Sequence, residues 1–272
     1  MIKHGYSPVL TFRRYRLFIF IQAMVLAWIF SGCAGPRPVP GEKDISRKAG
    51  KLLEKLSRQE ASPDRFKGYG RYSLDSPDGR FSGRMAWAVK QPDMFRAEIL
   101  DVSGRPYTTL ASDGKWLYIH LKAENKFYKK PGTQATFSRV IGVPVTVRDI
   151  VVFLSGRVPV HAYQAAQVQA GGATGVRKGP VLFLRGKWNR PVEEIHFDGD
   201  TLSPVRVVMY SRTGAFAYQV DISGRLQPEP TAYTFFQTLL FQDSEHHGIK
   251  IIADRLWPDV ELPPSIFTLK KR

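Results

Sequence analysis

Few residues in this chain have the types and spacing that chemistry requires. Cys33 is the single cysteine among 272 residues, so it can form no intramolecular disulfide and shares no metal with a second thiol. Six histidines are scattered except for His246-His247. Adjacent strand residues point to opposite faces, so that pair cannot share a zinc ion, and Glu193-Glu194 fails as a carboxylate dyad for the same reason. The run from Gly171 to Gly179 lacks the Gly, four residues, Gly-Lys-Ser/Thr spacing that cradles phosphate. No Gly-x-Ser-x-Gly elbow occurs either. A protein without catalysis, bound metal or cofactor is expected.

What remains is Cys33 and its setting. Lys3, Arg13, Arg14 and Arg16 precede an apolar stretch, Leu17 to Phe30, that reaches about 21 Å as a helix. That is short of the roughly 30 Å hydrocarbon core, and small residues follow it, so the segment 1–32 reads as a signal peptide. Phe30-Ser31-Gly32-Cys33 resembles the bacterial lipobox, whose cysteine sulfur receives a diacylglyceryl group before cleavage and whose new N-terminus is then acylated, as with palmitate. Cys33 is thus the expected lipidation site and first residue of the mature chain. Several acyl chains at about 0.8 kcal/mol per buried CH₂ hold a protein on a bilayer.

Lys and Arg number 40 against 24 Asp and Glu, a net charge of +16; removing the four leader cations from +16 leaves +12. Anionic partners follow. In an exported chain with no nucleic-acid module, they are an anionic membrane surface or lipopolysaccharide rather than nucleic acid. A hydrophobic content of 43%, with 12% aromatic, is enough for a packed core and excludes disorder of the whole chain.

The elements that carry these features divide simply. Residues 33–43, rich in Pro and Gly, are expected to form a flexible tether. One domain, 44–272, follows. From Asp44, an expected N-cap, Ile45, Ala49, Leu52, Leu53 and Leu56 draw one helical stripe that stops before Ser62-Pro63. The pattern then changes to period two, with about a dozen strands between Phe66 and Arg255 separated by turns such as Ser112-Asp113-Gly114 and Asp198-Gly199-Asp200. So many strands exceed one small open sheet. The fold class is mainly β with a few helices: an open, curved antiparallel β-barrel, or half-barrel, with an N-terminal helix and a helical lid.

The lid is expected at about 134–156. Thr136 to Gly142 forms a short helix closed by glycine, and Thr146 with Asp149 resembles a capping box for a second helix. Ile141, Val147, Ile150, Val151, Phe153 and Leu154 make this segment apolar enough to require burial over the barrel mouth. Below it, alternation places Met85, Trp87, Phe95, Ile99, Trp116 and Tyr118 inward as candidate cavity residues, with Arg84, Arg96, Glu98 and Lys115 toward water.

Four segments resemble the LolA/LolB lipoprotein carriers. Lys90 through Gly104, with Pro92-Asp93-Met94-Phe95-Arg96, is similar to that family's strand and loop. Phe137 through Pro159, with Ile141-Gly142-Val143-Pro144 and Gly156-Arg157-Val158-Pro159, resembles the LolB lid. Pro204 to Tyr210 resembles a later barrel strand, and Glu261 to Leu269 the close of the fold. The resemblance implies an apolar cavity that shelters the acyl chains of lipoproteins or other lipids in transit. It also implies delivery by a soluble periplasmic LolA-like carrier and residence on the periplasmic face of the outer membrane through a lipid anchor. Ala34, after Cys33, is not the Asp associated with inner-membrane retention. The family's exposed apolar loop residue, which contacts the membrane, corresponds here to Ser103 or, shifted by one, Val102. A relative carrying another lipid, or a non-enzymatic scaffold in envelope assembly, is the alternative.

Overall fold

The computed structural model describes residues 42–58, 62–171 and 179–270. Cys33, the segment 1–32, the tether up to residue 41 and the interior of the glycine-rich run lie outside the described residues. Residues 43–272 form one compact unit.

Helix α1 (Glu42–Arg58) starts two residues before Asp44, which therefore sits in the first turn instead of capping it. The expected stripe is the buried face: Ala49, Leu52 and Leu56 enter the main core, while Lys48, Lys51 and Lys55 are exposed.

Thirteen strands follow. They are β1 (Arg65–Ser76), β2 (Gly79–Lys90), β3 (Met94–Leu100), β4 (Pro106–Asp113), β5 (Trp116–Leu121), β6 (Lys126–Pro131), β7 (Ala165–Ala170), β8 (Pro180–Arg185), β9 (Pro191–Phe197), β10 (Pro204–Tyr210), β11 (Phe216–Leu226), β12 (Phe235–Gln242) and β13 (Gly248–Pro258). They make one antiparallel sheet in the order β6-β5-β4-β3-β2-β1-β13-β12-β11-β10-β9-β8-β7. Among the described residues only the β1–β13 pairing joins strands distant in sequence, and it makes their two halves one sheet. The sheet does not close, because β6 and β7 are its edges; the chain between them supplies α2 (Gln134–Ile141) and α3 (Val147–Leu154). This is the open, curved antiparallel architecture with helices that the patterning predicts.

Local chemistry explains the punctuation. The Asp113 carboxylate accepts the backbone N–H groups of Lys115 and Trp116 at 2.9 and 2.7 Å, and Asp198 does the same for Asp200 and Thr201. Thr133, three residues earlier than the expected start, caps α2 by accepting the N–H of Thr136. Thr146 caps α3 by accepting that of Asp149 at 3.0 Å. Caps of this kind contribute about 1 kcal/mol each.

The outer face of the sheet is not wholly left to water. A short 3-10 turn at Pro264–Phe267 lies against β3 and β4. Leu262 and Phe267 bury Ala88 there, and Arg96 donates to the Ile266 carbonyl at 2.7 Å.

Candidate functional site

The cross-strand register fixes what faces inward. Val89 opposes Phe95, Trp87 opposes Ala97 and Met85 opposes Ile99. Met85, Trp87 and Phe95 are buried in the main core, and half-buried Ile99 packs against it. Trp87 lies over Gly68, where a Cβ would come within 2.1 Å of its ring.

Trp116 and Tyr118 are placed otherwise. Phe95 opposes Ser112, and Ser112 opposes Leu117, so Leu117 and Ile119 take the inward positions of β5. Trp116 and Tyr118 occupy the outer face. There the Tyr118 hydroxyl donates to Asp113 at 2.8 Å, and Lys129 Nζ lies 4.4 Å from the Trp116 ring centroid and 5.6 Å from that of Tyr118. Desolvation and the bond to Asp113 raise the Tyr118 phenol to about 12. Alternation with Lys115 gives the wrong phase here, because Leu117 and Tyr118, successive residues of β5 on opposite faces, are both apolar and buried. A strand apolar on both faces carries no phase signal.

Above the inward set, all six expected lid residues, Ile141, Val147, Ile150, Val151, Phe153 and Leu154, are buried in the same core. Phe137 meets Phe95 edge-on at 6.4 Å, and Phe153 meets Phe241 at 5.5 Å. Such contacts add about 1 kcal/mol each beyond burial.

A polar cluster crosses the seam between α3 and the sheet. Asp149 is buried and accepts the Tyr218 hydroxyl at 3.3 Å. His161 Nε2 lies 3.3 Å from Asp149, and its Nδ1 lies 3.5 Å from Glu193. The His161 backbone N–H also donates to Glu193 at 3.2 Å. The two carboxylates raise the His161 imidazole to about 10, while burial pushes the Glu193 carboxyl up and the Tyr218 phenol well up. Glu193 Oε1 is buried with no partner among the described residues. Glu193 and Glu194 do point to opposite faces, and Glu194 instead accepts the Tyr210 hydroxyl at 2.5 Å. The missed signal was parity: Glu193 shares the inward face with Ile195 and Phe197.

Beside this cluster lies a cavity of about 990 Å³. Its lid wall includes Ala135, Pro144 and Asp149; its sheet wall includes Met209, Phe216 and Tyr218. Lys187, Trp188, Arg190 and Arg212 line it on the turns between β8 and β9 and between β10 and β11.

The remaining expected position is the loop after β3. Asp101 accepts the Ser103 hydroxyl at 2.6 Å and the Arg105 N–H at 2.9 Å, and Arg84 donates to the Val102 carbonyl at 2.9 Å. The Ser103 hydrogen bond lowers the Asp101 carboxyl below its ordinary range. This ordering leaves Val102 98% exposed, with Ser103 turned into the loop's own hydrogen bonds.

No protein-family sequence model matches the chain, and no curated protein matches it in sequence. Solved structures do. A domain described as an outer membrane lipoprotein-sorting protein domain from Vibrio parahaemolyticus superposes with a TM-score of 0.53 at 12% identity, over 82% of this chain and 97% of that one. A LolA superfamily protein from Nitrosomonas europaea gives 0.52 at 15% identity, over 81% and 97%. The fold is LolA-like. A DUF1329 family protein from Desulfovibrio piger shares it, with a TM-score of 0.54 at 12% identity, over 82% and 97%. These chains thus share this architecture while little of their sequence is held in common, as expected where an alternating pattern and turn chemistry, rather than particular side chains, specify the sheet.

Proposed function

We propose that this chain is a LolB-like, lipid-anchored protein on the periplasmic face of the outer membrane that accepts the acyl chains of lipoproteins or other lipids, without catalysis. The observation that carries the reading is the seam beneath α2 and α3. An apolar lid rests on the inward faces of a LolA-like sheet, with a cavity of about 990 Å³ already open along one side. Lifting that side would join the cavity to the apolar interior. Acyl chains need only such a volume and surface, at up to about 0.8 kcal/mol per buried CH₂. Cys33 supplies the anchor in this reading, a soluble LolA-like carrier delivers cargo, and Val102 is the exposed apolar residue that meets the membrane.

One observation favours a second reading. Met85, Trp87 and Phe95 are packed into the core beneath the lid, whereas the cavity lies along β8 to β11. A barrel filled by its own side chains suits a non-enzymatic scaffold in envelope assembly. Displacement of a fluorescent fatty-acyl probe by acyl chains of increasing length separates the two. Affinity rising with length and lost on Met209→Asp in a folded protein supports the carrier; absence of binding at every length supports the scaffold.

A further inference from the structure

Trp188 is the least expected side chain on the surface. It is 85% exposed, and it sits at φ +61°, ψ +29° in the two-residue turn Trp188-Asn189 between β8 and β9. Asn189 takes the same left-handed region at φ +56°, and the turn closes by Arg190 N–H donating to the Lys187 carbonyl at 3.3 Å. Asn tolerates this conformation through its short polar side chain, but a bulky aromatic does so at a cost. Burial of the indole among the described residues does little to offset that cost, because the ring is exposed. A partner outside the chain would offset it.

The charges around it indicate which partner. Lys187 and Arg190 flank the indole in the turn, and Arg212 occupies the adjoining turn between β10 and β11. The two turns touch at their bases, since a Cβ on Gly214 would lie 3.3 Å from Pro191 and 3.7 Å from Arg190. Residues 185–191 and 210–216 contain no acid, and among the described residues Lys187, Arg190 and Arg212 have no ion-pair partner. Elsewhere at this end of the sheet three cations are matched locally: Arg80 with Asp75 at 2.9 Å, Lys126 with Glu124 at 2.7 Å, Arg105 with Asp101 at 3.8 Å.

The topology adds a third point. Strands β3 and β8 are separated by eight antiparallel steps in the sheet order, so they run in the same direction and end at the same rim. Val102 and Trp188, 98% and 85% exposed, therefore project from turns at one end of the barrel. Three steps separate β13 from β3, which places Trp257, near the end of β13, at the opposite rim.

We propose that the rim bearing Trp188 and Val102 docks on an anionic phospholipid surface, with the indole at the headgroup level and Lys187, Arg190 and Arg212 against lipid phosphates. Tryptophan favours that interface because its ring is apolar and its N–H is polar, and clustered cations are drawn to a negative leaflet. Docking in this orientation turns the cavity lined by Trp188 toward the bilayer. The membrane-facing role of Val102 belongs to the functional reading above; the Trp188 turn and its cations do not depend on acyl cargo.

The test uses the full chain, carrying Trp28→Phe so that the apolar leader contributes no indole, reconstituted in vesicles of phosphatidylglycerol and phosphatidylcholine whose acyl chains carry bromine, a contact quencher of indole fluorescence. A quenched component should vanish in Trp188→Phe and persist in Trp257→Phe. It should fall several-fold in Arg190→Glu/Arg212→Glu and in phosphatidylcholine alone. Unaltered circular dichroism would show each variant folded. A quenched component that survives Trp188→Phe, or is equal in phosphatidylcholine alone, overturns the proposal. Acyl-probe displacement is read separately, so docking can fail while cargo binding stands, and the reverse.

Discussion

The two ends of the lid are built on different principles. At its exit, Gly156 has φ +81°, and an added Cβ would lie 2.1 Å from the Thr234 carbonyl oxygen. Arg157 follows and donates to Gln91 at 2.5 Å, while Gln91 holds Ser62 and Pro63 at 3.0 Å. This end is jammed against backbone. Toward its start, Gly142 ends α2 at φ +79° with open space around it, and the cavity runs alongside as far as Asp149. Buried Phe137 and Ile141 pack α2 onto the core, and at the head of α3 the lid is held by Tyr218 and His161 on the Asp149 carboxylate, contacts that proton loss can weaken. A lid jammed against backbone at its exit and held at the head of α3 by charge would open from the charged side, because packed backbone yields little while ion pairs respond to solvent and pH.

The sharpest way to break the comparison is Gly156→Ala. Left-handed strain and a backbone clash together predict a loss of about 3 kcal/mol or more. Denaturant unfolding that moved by less than about 1 kcal/mol would show that the exit is not pinned.

A smaller effect should appear with pH. His161 has a folded pKa of about 10 against an ordinary 6.5, so the fold favours its charged form. Its contribution is present in full below pH 6.5 and is lost as pH rises through about 10. The raised carboxyl of Glu193 acts with the same sign. The His161 side chain is 41% exposed, so solvent moderates the size of the effect. Melting temperature is expected to fall from pH 6.5 to 10, and the fall should flatten in His161→Gln. An unchanged slope in that variant would remove the charge-held end from the comparison.

The smallest effect belongs to Gly142→Ala. The left-handed conformation costs alanine about 1 kcal/mol, with no clash to add. A loss matching that of Gly156→Ala would mean that both ends are pinned alike.

Much of this arrangement was legible in the amino-acid order. Each expected strand appears with ends shifted by a few residues, since alternation and turn-forming Asp and Gly are local signals. The Thr146 cap and the apolar face of α3 were read from neighbouring residues as well. Sequence therefore determined the elements, their inward pattern where a single face is apolar, and the need to bury the lid. Tertiary structure alone decided three other things. It set the phase of β5, turning Trp116 and Tyr118 outward, because register passes from strand to strand through β4. It brought Asp149, His161 and Glu193 together from three separate segments, which no local spacing encodes. It also placed Trp188 and Val102 on one rim, because direction in an antiparallel sheet depends on the number of strands between two turns, and the β1–β13 pairing fixes that number.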